Sequence, residues 1–176
     1  YSTDTNQENI IVSTDFYKIH ILPYSAIIIK ICRAYSNSQE DYEDYYQEVC
    51  LQIWKSRDNF KNKSEWSTWV YRISLNVCLS LLRKQKKHNS TNTSEESFNQ
   101  FSNQSGLNEN TKDYSTDIAK LYDAIKELGE IDRGIILLYL EKKTYKEIAQ
   151  IIGTNSNSIG VKITRIKNKI KKQFNG

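Results

Sequence analysis

Three groups of side chains in this chain have types and spacings that could do chemistry. The first is cationic. Lys162 to Lys172 carries Lys162, Arg165, Lys167, Lys169, Lys171 and Lys172 with no acid among them, a run suited to gripping phosphates. Just ahead of it stand Ser156, Asn157 and Ser158, short polar side chains of the kind that reach base edges. The second group is acidic. Asp41, Asp44, Gln47, Glu48 and Gln52 fall on one side of a helix whose other side carries Tyr42, Tyr46, Val49, Cys50 and Ile53. Such a face is a solvated surface, a dock for a basic protein surface, or a carboxylate metal site built on Asp41, Asp44 and Glu48. No His joins these acids and no other segment offers inward carboxylates, which weighs against the metal. The third group is aromatic. Trp66, Trp69 and Tyr71 crowd the start of a helix that also bears Arg72, Asn76, Ser80 and Arg83 at i, i+4, i+8 and i+11. Trp69 is expected in the core, but aromatics beside a basic face and a polar loop also suit unstacked single-stranded bases.

Other chemistries find little support. Cys32, Cys50 and Cys78 are odd in number and form no C-x-x-C pair, and the only histidines are His20 and His88. A zinc site is not expected, and the thiols read as small buried hydrophobes in a reducing compartment. No cofactor is expected. The longest apolar run, Ala26 to Ile31, is too short to cross a bilayer and is broken by Lys30, so no membrane insertion is expected. The first 15 residues lack the basic-then-apolar order of a signal peptide, which points to the cytoplasm. The chain holds no Met, so its original start is expected to have been removed.

These groups must be positioned by helices. One Pro, Pro23, and few Gly permit long helices almost everywhere, and strand and hairpin signals are scarce. The fold class is all-α. Residues 1–14 read as a polar tail. Residues 15–88 read as a helical bundle, with helices over Tyr24 to Tyr35 (Ile27, Ile28, Ile31, Cys32 inward), Glu40 to Lys55, and Trp66 to Lys87 (Trp66, Trp69, Val70, Ile73, Val77, Leu81 inward). Residues 89–115 are dominated by Ser, Thr, Asn and Gln and read as a flexible linker.

Residues 116–176 read as a second unit. A helix carrying Ile118, Leu121, Ile125 and Leu128 ends near Gly129, and another covers Ile131 to Leu140. Thr144 to Glu147 is a capping box, Ala149 is small where two helices cross, and Gly153 supplies a left-handed turn. Ile148, Ile152, Ile159 and Ile163 supply the buried contacts of a helix-turn-helix. Its second helix exposes Ser156, Asn157, Ser158, Lys162, Arg165 and Lys169. An ordinary helical hairpin with a solvated basic face is the plainer alternative.

The run from Glu40 to Trp54 resembles the region 2 helix of extracytoplasmic-function sigma factors, where an acidic stretch precedes an apolar-Trp ending. Phe60 to Arg72 is similar to the loop and helix that follow it, Leu79 to Lys87 to the close of that region, and Leu128 to Lys172 to region 4. Ser80 stands where Asp is usual, Cys50 where Phe is common and Gly160 where a cation is common. The resemblance implies a DNA-binding initiation factor with no catalysis of its own. Asp41, Asp44, Gln47 and Glu48 would dock on the β′ subunit of core RNA polymerase. The loop residues Asn59, Lys61, Asn62, Lys63 and Ser64, with Trp66, Arg72 and Asn76, would capture the minus-ten promoter element. Thr144, Ser156, Asn157, Ser158, Lys162, Arg165 and Lys169 would read and grip the minus-thirty-five element. An anti-sigma factor is implied as a further partner. The alternatives are a stand-alone helix-turn-helix regulator and, from another class, a metal-dependent nucleic-acid enzyme.

Overall fold

The structure, a computed structural model, describes residues 13–91 and 112–176. The expected linker therefore falls mostly, and the expected tail almost wholly, outside the described residues. Among those residues every regular element is helical. A helical entry segment, 13–24, tightens from a wide turn at Tyr17–Ile21 to a narrow one at Leu22–Tyr24, where Pro23 sits early enough to cost no hydrogen bond. Then come α1 (Ser25–Tyr35), α2 (Gln39–Ser56), α3 (Trp66–Thr91), α4 (Lys112–Lys126), α5 (Glu130–Leu140), α6 (Tyr145–Ile152) and α7 (Ser156–Asn175). Helices α3 and α4 enter the Ser/Asn-rich stretch from both sides, three residues past His88 and four before Thr116.

The helix starts have local causes. Ser38 accepts the Asp41 N–H at 3.0 Å and opens α2. At α6 both arms of the capping box close: the Glu147 N–H donates to Thr144 Oγ1 at 3.2 Å, and the Thr144 N–H donates to the Glu147 carboxylate at 2.7 Å. These hydrogen bonds hold the Glu147 carboxyl below the ordinary carboxylate range. Asn155 accepts the Ser158 N–H at 2.9 Å and opens α7. Between α6 and α7, Gly153 has φ 89°, and a Cβ built there would meet nothing within 4 Å. The demand for glycine is thus backbone conformation alone. Gly153→Ala is expected to lower stability by about 1–2 kcal/mol, read as a lower urea midpoint at unchanged slope.

Helices α1, α2 and α3 form the first bundle. Its core holds Ile28, Ile31, Cys32, Tyr35, Val49, Ile53, Val70 and Cys78, all fully buried. Cys32 and Cys78 face each other with sulfurs 3.8 Å apart, and all three cysteines are free thiols. The hydrogen bond to Cys32, with burial, pushes the Cys78 thiol far up, and burial pushes Cys50 up to about 11. Uncharged thiols of this kind are unreactive and act as packing.

The expected inward stripe of α3 needs correction. The buried residues are Thr68, Val70, Tyr71, Ser74, Leu75, Cys78 and Leu82, whereas Trp66 and Trp69 are half-buried against the core, and Ile73, Val77 and Leu81 are half-buried along a groove against α2. The reason is that α3 has partners on more than one side. It packs against α1 and α2 and also against α6. The second half of the chain is therefore seated on the first. Gly134 of α5 lies so close to α3 that an added Cβ would stand 2.8 Å from Leu75 Cδ2. Tyr35 Oη donates to the Glu130 carbonyl, Lys30 pairs with Glu141, and Arg133 Nη1 donates to the Ala34 carbonyl at 3.2 Å. Glu130 receives Arg83 at 2.9 Å and Lys86 at 3.1 Å.

Candidate nucleic-acid and partner interfaces

The acidic face of α2 divides along its length. Asp44 and Gln47 are exposed and Glu48 half-buried. These three line one shallow concavity with Tyr45, Leu51 and Leu81. Leu51 is 42% exposed there, so the acids border an apolar strip. Asp41 lies a turn earlier and is engaged, accepting from Gln85 Nε2 of α3 at 3.2 Å. Glu48 accepts from Gln52 at 2.8 Å. The acids run in a line and do not converge. Among the described residues no three His, Cys, Asp or Glu side chains are placed to hold a metal ion. Tyr45, which the periodicity left out of the core, is buried against this region, and burial then the Asp41 carboxylate raise its hydroxyl to about 12.

From Glu48 and Leu81 the surface continues into the groove between α2 and α3, lined by Gln52, Ser56, Ile73, Asn76, Val77 and Ser80. Asn76 is exposed there. Arg72, one turn earlier on α3, turns the other way and donates from Nη2 to the Gln150 carbonyl of α6 at 2.6 Å. The two residues share a helix face by sequence, but in the packed molecule they serve different surfaces.

The loop between α2 and α3 is anchored at both ends by aromatic rings. Phe60 packs edge-on to Trp66 at 5.0 Å and tilts against Trp69 at 5.5 Å, and the two Trp rings are 4.9 Å apart. The entry segment adds Phe16 and His20, 6.1 and 5.4 Å from Trp66. Trp66 Nε1 donates to the His20 carbonyl at 2.7 Å. Arg57 stacks over Trp54 at 3.7 Å. Between these anchors Asn59, Lys61, Asn62 and Lys63 are exposed and Ser64 is half-buried, with Asn62 in the left-handed region at φ 54°. Asn tolerates that conformation better than most residues do. Phe16 and His20 were not legible as part of this site, because only the fold returns the chain's start to the loop.

In the second half, α6 and α7 pack together and bury Ile148, Ala149, Ile151, Ile159, Ile163 and Ile166, while Ile152, expected among the buried contacts, is only half-buried because Ile151 takes the inner position. Thr144, Ser156, Asn157, Arg165 and Lys169 are exposed, and Ser158 and Lys162 are half-buried. A shallow concavity is lined by Asn155, Asn157, Ser158, Val161, Lys162 and Arg165. Four of the seven expected contacts thus meet on one surface. Lys162 sits at its side, its Nζ 3.7 Å from Asp132 of α5. Lys169 lies further along, donating to the Glu127 carbonyl at 3.1 Å. Thr144 is occupied with its capping box. Val161 was missed, because an apolar residue outside the buried stripe carries no signal in a pattern search. No helix among the described residues is long and apolar enough to cross a membrane.

Two family models match the chain in order: Sigma-70 region 2 over residues 21–88, and Sigma-70, region 4, over residues 118–170. A relative with 34% identity over 71 residues is the ECF RNA polymerase sigma factor SigG of Mycobacterium tuberculosis. That match covers 40% of this chain but only 19% of SigG. RNA polymerase sigma factor SigV of Bacillus subtilis is 27% identical over 137 residues, 77% of each protein. Among solved structures, the sigma factor RpoE in complex with the anti-sigma factor NepR from Bartonella quintana superposes with a TM-score of 0.63 at 20% identity, covering 98% of this chain and 97% of that one. CnrH in complex with the cytosolic domain of CnrY gives 0.63 at 16% identity, covering 93% and 87%. At these identities the two structures speak for the fold alone.

Proposed function

The chain belongs to the sigma-70 family, with regions 2 and 4 in the order of extracytoplasmic-function sigma factors, and from that premise we propose that it directs RNA polymerase to promoters. The acidic edge Asp44, Gln47 and Glu48, with Asp41 behind it, docks on a basic surface of the polymerase core, on the β′ subunit. The loop 59–65 and Asn76, joined by Arg72, take hold of the unstacked minus-ten strand. Helix α7 enters the major groove of the minus-thirty-five element, with Asn157 and Arg165 foremost and Lys169 toward the phosphates. The polymerase does the chemistry, and the chain works beside it in the cytoplasm. A partner of the anti-sigma class is proposed as its regulator, since both structural neighbours are described in complexes, one of them expressly with an anti-sigma factor.

The observation that carries this reading is the surface itself. One molecule presents an acidic, partly apolar edge that is continuous through Glu48 and Leu81 with a polar groove, and separately a helix-turn-helix with exposed polar and cationic side chains. A regulator acting alone has no use for the first surface. One consequence concerns Arg72. While the halves stay packed, its guanidinium is committed to the Gln150 carbonyl, so strand capture through Arg72 requires that hydrogen bond to break.

The test is run-off transcription with core polymerase and genomic fragments, with co-purification of core as the binding readout. Promoter-specific transcripts that depend on the chain support the reading. Sequence-specific duplex binding with no affinity for core would replace it with a stand-alone regulator.

A further inference from the structure

The polar and cationic face of α7 contains one residue that does not belong there on solubility grounds. Val161 is 60% exposed, and Phe174, in the last turn, is the other exposed large apolar side chain of this helix. At about 100° per residue, Val161 lies roughly 200° round from Ile159, which is fully buried with Ile163 and Ile166 on the inner side. Val161 therefore points almost straight away from the core. It lines the concavity of the recognition surface with Asn157 one turn before it and Arg165 one turn after. Lys162 lies off to the side, near Asp132.

The neighbourhood leaves Val161 prominent. Gly160 beside it has no side chain, and the Tyr145 ring of α6 fills the space where one would begin, 3.4 Å from an added Cβ. Thr164, one turn on, turns its hydroxyl back to the Gly160 carbonyl at 3.1 Å. A valine has one dominant χ1 rotamer in a helix, so its two methyls form a fixed apolar cap between two polar residues. In the major groove of unmodified DNA the apolar feature of the base edges is the C5 methyl of thymine, and the other groups there are hydrogen-bond donors and acceptors.

We propose that Val161 is a base-reading residue of α7 and that it recognises the methyl group of one thymine in the minus-thirty-five element. This rests on α7 being the helix that enters the groove. Asn157 and Arg165 then read or grip the flanking positions by hydrogen bonding, and Val161 makes one position between them a thymine by removing two apolar surfaces from water together.

The experiment uses the full chain assembled with core polymerase. A minus-thirty-five element is selected from a duplex library randomised upstream, and each thymine in it is then replaced singly by uracil, which lacks only the methyl. At one position the uracil duplex is expected to bind about three- to fivefold more weakly, the worth of one buried methyl-sized group. Val161→Ala is expected to bring that thymine-to-uracil ratio close to one while its melting curve stays that of the wild type, because the side chain is exposed. A selected element without thymine, uniform tolerance of uracil, or a ratio that Val161→Ala preserves would each overturn the assignment of Val161 while leaving α7 as the reading helix. Failure to select any upstream sequence would overturn both.

Discussion

Reversing Asp44 and Glu48 together to lysine is expected to weaken binding to core polymerase on the order of 100-fold while leaving the melting curve nearly unchanged. Asp44 is exposed and Glu48 half-buried on the rim of a concavity that also exposes Leu51. Neither fills the core, and substitutions at such positions usually move stability by no more than about 0.5 kcal/mol. Each reversal removes an attraction and creates a like-charge contact with a basic partner, and opposed like charges at an interface cost several kcal/mol. Added salt should narrow the gap between variant and wild type, because the pairs lie within reach of screening ions. Asp41→Asn is expected to do less. Its carboxylate is already turned to Gln85, and an amide keeps that hydrogen bond. Binding must be measured without promoter DNA, since Glu48 also borders the groove that holds Asn76. Wild-type affinity in the double reversal would remove the acidic edge from the core interface.

What could be read from the sequence followed from how local each cause was. The capping box at Thr144 and the left-handed Gly153 each act within four residues, so α6 could be placed almost to the residue, while the cap at Asn155 that starts α7 came from the structure. The α2 helix was legible from its apolar stripe, of which Val49 and Ile53 are buried and Tyr42, Tyr46 and Cys50 half-buried, whereas its cap at Ser38 and the buried Tyr45 emerged only from the structure. The α3 helix was harder. A period of 3.6 finds a single inward face, but Leu75 looks toward Gly134 while Val70 and Cys78 look into the bundle, and the arc is too wide for one stripe. That left Ile73, Val77 and Leu81 assigned to the core when they line the groove. The contacts that join the halves were beyond pattern reading altogether. Glu130 meets Arg83 and Lys86 across more than 40 residues, and Arg72 meets Gln150 across 78. Such pairs are made by tertiary packing and leave no spacing rule behind.

That packing has a weak point with a large expected effect. Gly134 lies inside α5, where glycine is worth about 1 kcal/mol less than alanine, and its presence is accounted for by the close approach of Leu75 Cδ2 and the Tyr35 hydroxyl, 2.8 and 3.3 Å from an added Cβ. Gly134→Leu is expected to improve the helix itself and to overpack the contact between the halves by roughly 1–3 kcal/mol. Separating the halves relieves that strain, so the expected readout is expansion. Small-angle scattering should show a radius of gyration several ångströms above the about 16 Å of a compact chain of this length. Glu130→Lys attacks the same contact by charge, since it replaces the acceptor of Arg83 and Lys86 with a third cation. In the wild type those two cations, Arg83 foremost, hold the Glu130 carboxyl below the ordinary carboxylate range. A depressed value in the packed state means that the contribution is fully present above the unfolded value near pH 4.3 and is lost as pH falls through the lowered one. The contribution of the Glu130 pairs, small because Arg83 and Lys86 are exposed, is therefore expected to be present at neutral pH and to fade in acid, and Glu130→Lys to lack that part of the pH dependence. Both variants should also free Arg72 from Gln150, and binding of a single-stranded minus-ten oligonucleotide by the isolated chain should rise. Unchanged scattering in both variants would show that the halves are held together by something other than the Gly134 contact and the Glu130 pairs.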